Sequence, residues 1–251
     1  MPAVNIDGQR IYYETLGGGP PLLLMHGWTQ VGRDLIGLAE GLAIQYQVIL
    51  PDLPGFGQSV PPFRTYPVDF YQRDGKAMVG FLDALDLRDV HVMGFSDGGE
   101  TALLLPIFRP ERCRTVIAWG AVGAFKQAQC DHSRSRLPPD WITDAIRAKH
   151  PGQDVDRWPY QWVDAFCGLI AAGGDVSLSH AREIRCPLLL LLGDGDKLNP
   201  VASGERFIAA ATYPGCPPRT LEVFKHAGHF LHEEQPERFL AVVRSFLSKH
   251  L

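Results

Sequence analysis

The run Val90-His91-Val92-Met93-Gly94-Phe95-Ser96-Asp97-Gly98-Gly99 decides how this chain is read. Apolar and β-branched residues end in Gly-x-Ser-x-Gly, and a helix-like pattern follows at once. On a sharp strand-to-helix turn a serine stands clear of the sheet edge, and glycines two residues either side remove the side chains that would clash. The turn also puts the Asp97 N–H near a helix N-terminus, where the dipole favours developing negative charge. A plain glycine-rich turn has the same spelling, so the reading rests on what lies around it.

Outward from this turn, buried strands alternate with helical spacing. Residues 22–25 are a continuous apolar run, as in a strand covered on both faces, and end at His26-Gly27-Trp28. Helical spacing follows at Leu35, Leu38, Ala39 and Leu42, then a second buried strand at 48–50. Residues 69–87 have helical periodicity with Asp69 as a candidate cap. Residues 99–108 read as the helix after the turn, ended or kinked near Pro106. Further strands are expected at 115–119, 187–192 and 220–224, a hairpin around Asp7-Gly8, and a closing amphipathic helix at 236–247. The alternation predicts an α/β fold with a mostly parallel, doubly wound sheet. From 121 to 182 the rhythm breaks: four prolines, Trp141, Trp158 and Trp162, and no buried strand. That predicts a helical cap, 121–182, inserted into a core of 1–120 and 183–251.

The 251 residues are 45% hydrophobic and 21% charged, enough for one α/β domain with an insertion. A net charge of -4 without a long basic block argues against a nucleic-acid surface. The N-terminus lacks the basic and apolar regions of a signal peptide, and the run around 188–192 is far too short for a membrane span. Five cysteines, odd in number and widely spaced, are expected to be free thiols in a cytoplasmic protein. Gly17-Gly18-Gly19-Pro20-Pro21 lacks the ending of a phosphate-binding loop, and Gly55 and Gly57 run into Pro61-Pro62, not a helix. No metal-binding spacing is visible, so neither metal nor cofactor is expected; the oligomeric state is open.

A serine hydroxyl needs a base within hydrogen-bond reach, and the base needs an orienting acid. In open α/β sheets such groups gather at the carboxyl ends of strands. After 188–192 comes Gly193-Asp194-Gly195-Asp196, and after 221–224 comes His226-Ala227-Gly228-His229-Phe230. The order Ser, Asp, His suits a serine hydrolase of this topology. The residues alone leave Asp194 or Asp196, and His226 or His229, as the pair; His232 reads as cover for the closing helix.

Four motifs carry a resemblance to the α/β-hydrolases: His26-Gly27-Trp28, Asp52-x-x-Gly55-x-Gly57-x-Ser59, Gly94-Phe95-Ser96-Asp97-Gly98-Gly99, and Gly193-x-x-Asp196 with His226-x-Gly228-His229. Tyr66-Pro67-Val68-Asp69-Phe70, Arg73-Asp74, Ser96-Asp97-Gly98-Gly99 and Trp162-Val163-Asp164 further resemble the biphenyl-hydrolase-like, or valacyclovir hydrolase, group; residues 134–150 depart from it. The resemblance implies Ser96 as nucleophile, His229 as base and Asp196 as orienting acid, with Trp28 and Asp97 N–H groups as the oxyanion hole. His26 reads as structural. Asp97 has two readings: a first-turn carboxylate complementing the helix dipole, or a receptor for a substrate ammonium. The group's cleavage of α-amino-acid esters supports the second. The expected function is therefore acyl-enzyme hydrolysis of small carboxylic esters, favouring α-amino-acid esters. Alternatives are carbon–carbon bond hydrolysis of ring-cleavage products and a slow-turnover small-molecule receptor. Haloalkane dehalogenases and epoxide hydrolases carry Asp where Ser96 stands.

Overall fold

The computed structural model describes residues 2–251. Strands β1 (Ala3–Ile6), β2 (Gln9–Leu16), β3 (Pro21–Met25), β4 (Gln47–Pro51), β5 (Val90–Phe95), β6 (Cys113–Trp119), β7 (Leu188–Gly193) and β8 (Arg219–Phe224) form one 8-stranded sheet in the order β1-β2-β4-β3-β5-β6-β7-β8. The first two strands pair antiparallel, as do β2 and β4; the rest are parallel. The hairpin turns at Asp7 (φ 47) and Gly8 (φ 79), the left-handed pair that a two-residue turn demands.

Between and beyond the strands run helices α1 (Ile36–Leu42), α2 (Phe70–Ala84), α3 (Asp97–Phe108), α4 (Gln127–Arg134), α5 (Asp144–Lys149), α6 (Trp158–Ala171), α7 (Val201–Ala211), α8 (Leu231–Glu234) and α9 (Pro236–Ser248). Alternate strand residues feed two cores. Leu23, Met25, Val92, Val116 and Leu190 pack with Met78 and Phe81 of α2, Leu103 of α3 and Phe207 of α7. Leu22, Leu24, Met93, Ile117 and Leu191 pack with Leu42 of α1 and Phe239, Val243 and Leu247 of α9. Every residue of β5 and β7 is buried, which is why β7 reads as an unbroken apolar run and β5 as one interrupted by His91, whose Nδ1 meets Thr115 Oγ1 at 2.9 Å.

Several sequence expectations shift at their edges. Helix α3 begins at Asp97 and passes through Pro106 to Phe108, because residues 97–106 are buried and packing holds a helix that proline alone would end. Asp69 precedes α2 without a capping hydrogen bond; its carboxylate accepts from Arg73 Nε at 2.9 Å instead. Between β6 and β7 lie α4, α5 and α6, with one isolated bridge between Ala124 and Asp175. The two ends of this segment meet at Gly123. Its N–H is held by Glu100 of α3, and its carbonyl accepts the N–H groups of Val176, Ser177 and Leu178.

The expectation of five free thiols is corrected. Cys130 on α4 and Cys167 on α6 form a disulfide with Cα atoms 5.1 Å apart, while Cys113, Cys186 and Cys216 are free. The partners are 37 residues apart and carry no spacing motif; packing of α4 on α6 around Phe125 and Phe166 brings them together. Closing a loop of that length restricts the unfolded chain by about 3–4 kcal/mol. Thiol titration of the denatured protein should therefore find three thiols before reduction and five after. Replacing both Cys130 and Cys167 by Ser should lower the unfolding free energy by about that amount in a urea titration.

Candidate active site

Strand β5 stops at Phe95 and α3 starts at Asp97, leaving Ser96 on the turn at φ 54 and ψ -120. A Cβ on Gly94 would lie 2.0 Å from the Gly98 carbonyl oxygen, and one on Gly98 would lie 2.3 Å from that of His26. Only glycine permits so close an approach of backbones, and the buried surroundings hold Ser96 in a conformation that costs about 1–3 kcal/mol.

The loops after β7 and β8 reach this turn. His229 Nε2 lies 3.0 Å from Ser96 Oγ, and His229 Nδ1 lies 2.6 Å from Asp196 Oδ2. Asp196 Oδ1 accepts the backbone N–H groups of Leu198 at 2.9 Å and Asn199 at 3.0 Å. Burial pushes the Asp196 carboxyl up, but the His229 ring and these amides outweigh it and hold the group below its ordinary value. The other candidates are used elsewhere. Asp194 Oδ1 accepts the N–H of His226 at 2.8 Å, so that pair ties the loop after β7 to the loop after β8. His232 Nδ1 accepts from Trp119 Nε1 at 3.1 Å, packed among Phe95, Trp119 and Phe239. Fully buried His26, lowered to about 3 by desolvation, accepts the Leu53 N–H through Nε2 at 2.9 Å and ties the loops after β3 and β4 together. Among the described residues, the Trp28 and Asp97 N–H groups have no protein acceptor.

A cleft of about 800 Å³ opens over Ser96, with Trp28, Asp97, Trp162 and Leu198 on its walls. Asp97 is 5% exposed, and the partners of its carboxylate are both neutral: Tyr71 donates its hydroxyl to Oδ1 at 2.8 Å, and Trp162 donates Nε1 to Oδ2 at 2.9 Å. Burial pushes its pKa up to about 6 against the relief these donors give. The nearby Arg64 is committed to Asp74 through contacts of 2.6 and 2.8 Å. Trp162 in turn stacks on Trp28, ring centroids 5.0 Å apart, and Trp28 donates Nε1 to the Tyr66 hydroxyl at 2.7 Å.

Residues 20–154 match the family model described as the alpha/beta hydrolase fold. The chain belongs to the α/β-hydrolase family. Its relatives include the serine hydrolase BPHL of Homo sapiens, 27% identical over 258 residues that cover 97% of this chain and 85% of that protein. A 2-hydroxy-6-oxononadienedioate/2-hydroxy-6-oxononatrienedioate hydrolase of a Pseudomonas species is 24% identical over 271 residues, 97% of this chain and 89% of the relative. The solved structure of a thermophilic esterase from Thermogutta terrifontis shares the fold at TM-score 0.74 and 24% identity, covering 100% of both chains. Among the described residues no helix is long and apolar enough to cross a membrane, and no group of three or more His, Cys, Asp or Glu could hold a metal ion.

Sequence reading of this α/β-hydrolase missed the residues that support the site. Asn199, 2% exposed, donates Nδ2 to Asp196 Oδ2 at 3.3 Å. Tyr71 and Trp162 bracket Asp97 from two helices far apart in the chain. Glu100, one turn beyond Asp97, accepts the Val122 and Gly123 N–H groups, and burial pushes it up to about 7. The Tyr66–Phe70 and Arg73-Asp74 matches flank Tyr71, and the Trp162-Val163-Asp164 match includes Trp162, but the contacts of either residue with Asp97 leave no spacing signal.

Asp97 also carries a stability cost whose sign is fixed. Its folded pKa, about 6, lies above the ordinary 3.8, so the folded state binds the proton more tightly. Stability then falls as pH rises from about 4 through 6 and stays reduced above it. Asp97→Asn keeps the shape: the amide oxygen can accept from Trp162 Nε1, and Nδ2 can donate to the Tyr71 hydroxyl once that hydroxyl turns to accept. It should unfold at a higher temperature than the wild type at pH 7.5, by about 1–3 kcal/mol of stability, with the gap closing towards pH 4.5. Calorimetry of both proteins at several pH values checks this.

Proposed function

We propose that this α/β-hydrolase cleaves carboxylic esters through an acyl-enzyme on Ser96 and favours esters of α-amino acids, with residues 121–182 acting as the cap over the site. His229 takes the Ser96 proton as Oγ attacks the ester carbonyl. Asp196 holds the ring and stabilises its positive charge. The Trp28 and Asp97 N–H groups receive the oxyanion. His229 then returns the proton to the departing alcohol, and water repeats the sequence to free the acid.

The observation that carries the amino-acid preference is Asp97. An anion beside a forming oxyanion opposes catalysis, yet this carboxylate is buried, held by two neutral donors and set on the cleft wall. A substrate ammonium supplies the missing counter-charge and lies next to the scissile carbonyl only when the amine is α to it. The helix-dipole reading explains the position of Asp97 but not the paired support from Tyr71 and Trp162. Carbon–carbon bond hydrolysis has the name of the Pseudomonas relative behind it but makes no use of a buried anion there.

Ser96→Ala should abolish turnover of every ester and labelling by a phosphonate probe while leaving the thermal unfolding curve intact. Labelling that persists in this variant refutes the nucleophile. For Asp97→Asn the telling quantity is the kcat/KM of a free-amine ester divided by that of its N-acetyl analogue. A charge-assisted contact contributes about 1.5–3 kcal/mol, so the ratio should fall roughly ten- to a hundredfold. In the wild type the same ratio should rise with pH through about 6 as Asp97 ionises. It should turn down near about 7.7–8, where an α-amino group loses its proton. Any effect of pH common to both substrates cancels in the ratio. A ratio that neither responds to the substitution nor changes with pH leaves a general esterase.

A further inference from the structure

The cleft over Ser96 is charged unevenly. Its carboxylates, Asp97 and Asp196, are buried, while the cations of its lining, Lys149, Lys197 and Arg136, are partly or fully exposed. The charges are segregated, not in excess: an entering anion meets the exposed cations before it meets the buried carboxylates. Lys149 is engaged by Asp34 at 2.7 Å. Arg136 and Lys197 are exposed and, among the described residues, make no ion pair. Each is followed by a leucine, Leu137 and Leu198, that packs against the same apolar cluster as Trp28 and Tyr66, and all four residues line the one cleft, the two cations forming its collar.

The chemistry says which end of a substrate this collar meets. A departing alkoxide takes its proton from His229 Nε2, so the alcohol portion lies on the His229 side of Ser96. Lys197 adjoins Asp196, whose carboxylate is 2.6 Å from His229 Nδ1, so its backbone belongs to the loop that carries the His229 partner, and its side chain lines the cleft. We propose that Arg136 and Lys197 receive an anionic group, a carboxylate or a phosphate monoester, on the alcohol portion of the ester. The inference rests on the ester hydrolysis by Ser96 and His229 proposed above. With Asp97 it defines a zwitterionic substrate: an ammonium on the acyl portion and an anion on the leaving alcohol. As the Ser96 Oγ–acyl bond forms, the ester C–O bond breaks and the Ser96 proton passes through His229 to the alkoxide, so the anion leaves with the alcohol. Water then gives hydroxide to the acyl carbon and, through His229, its proton back to Ser96 Oγ.

Four valyl esters test this: carboxymethyl against its neutral carbamoylmethyl isostere, and 2-phosphoethyl against 2-hydroxyethyl. The butanoyl esters of the same alcohols form a second series. At low ionic strength the wild type should prefer the charged member of one pair by about tenfold in kcat/KM, and 0.5 M salt, a value chosen to shorten the screening length to roughly 4 Å, should erode that preference. R136Q and K197Q should each reduce the charged-to-neutral ratio by about threefold to fivefold, and the double variant should abolish it. Which pair shows the preference identifies carboxylate or phosphate as the anion. A wild-type ratio near one in both pairs, or a ratio that survives the double substitution, overturns the proposal. The butanoyl series separates the two readings: an anion preference present there, with no dependence on Asp97 in the valyl series, supports the anion collar and refutes the amine site. Turnover that persists in Ser96→Ala overturns both.

Discussion

At the end of β5 two backbones pass where no side chain fits, with the Gly98 carbonyl 2.0 Å from the position of a Cβ on Gly94. That contact bends the chain from strand to helix within one residue. It leaves Ser96 at positive φ, above the sheet and in reach of the loops after β7 and β8. Everything at the site is measured from this bend. Shift it, and the 3.0 Å contact to His229 is lost together with the aim of the Asp97 N–H. The bend is held by what surrounds it: every residue of β5 and residues 97–106 of α3 are buried, so relaxing the turn would expose two packed elements.

The second constraint is a charge kept where charge is costly. Asp97 and Glu100 face the interior one helical turn apart, and burial raises both. Glu100 is occupied with backbone amides of the segment between β6 and β7, a structural use of a carboxylate. Asp97 has only neutral donors and borders open cleft. A fold under selection for stability alone has no reason to keep an ionised group in that position, and stability given up at a site is a common signature of work done there.

How much of this was legible in the sequence follows from range. The sheet was readable because buried parallel strands are unbroken apolar runs, and the Ser96 turn because its steric demand falls on Gly94 and Gly98, two residues away. Asp196 and His229 were readable as types at strand ends, but choosing them over Asp194 and His226 took the family pattern; in the structure the latter two bond each other. What was illegible is long-range. Tyr71 and Asp97 are 26 residues apart, Trp162 and Asp97 65, and Cys130 and Cys167 37. No local periodicity records such meetings, since packing of α2, α4 and α6 creates them. Asp69 failed as a cap for a simpler reason: Arg73, one turn on, competes for its carboxylate.

The junction at Gly123 has a consequence for how such molecules diversify. The chain leaves the sheet just before this residue and, on returning, donates the N–H groups of Val176, Ser177 and Leu178 to its carbonyl. Departure and return are thus anchored at one point, and Glu100 fastens that point to the helix behind Ser96. What lies between can lengthen or shorten without altering strand register, provided the contacts of Trp162 with Asp97 and Trp28 and of His150 with Gly57 are kept. Selection can rewrite which molecules fit while the hydrolytic centre is inherited unchanged, and a laboratory graft at the same two positions would exploit the same seam.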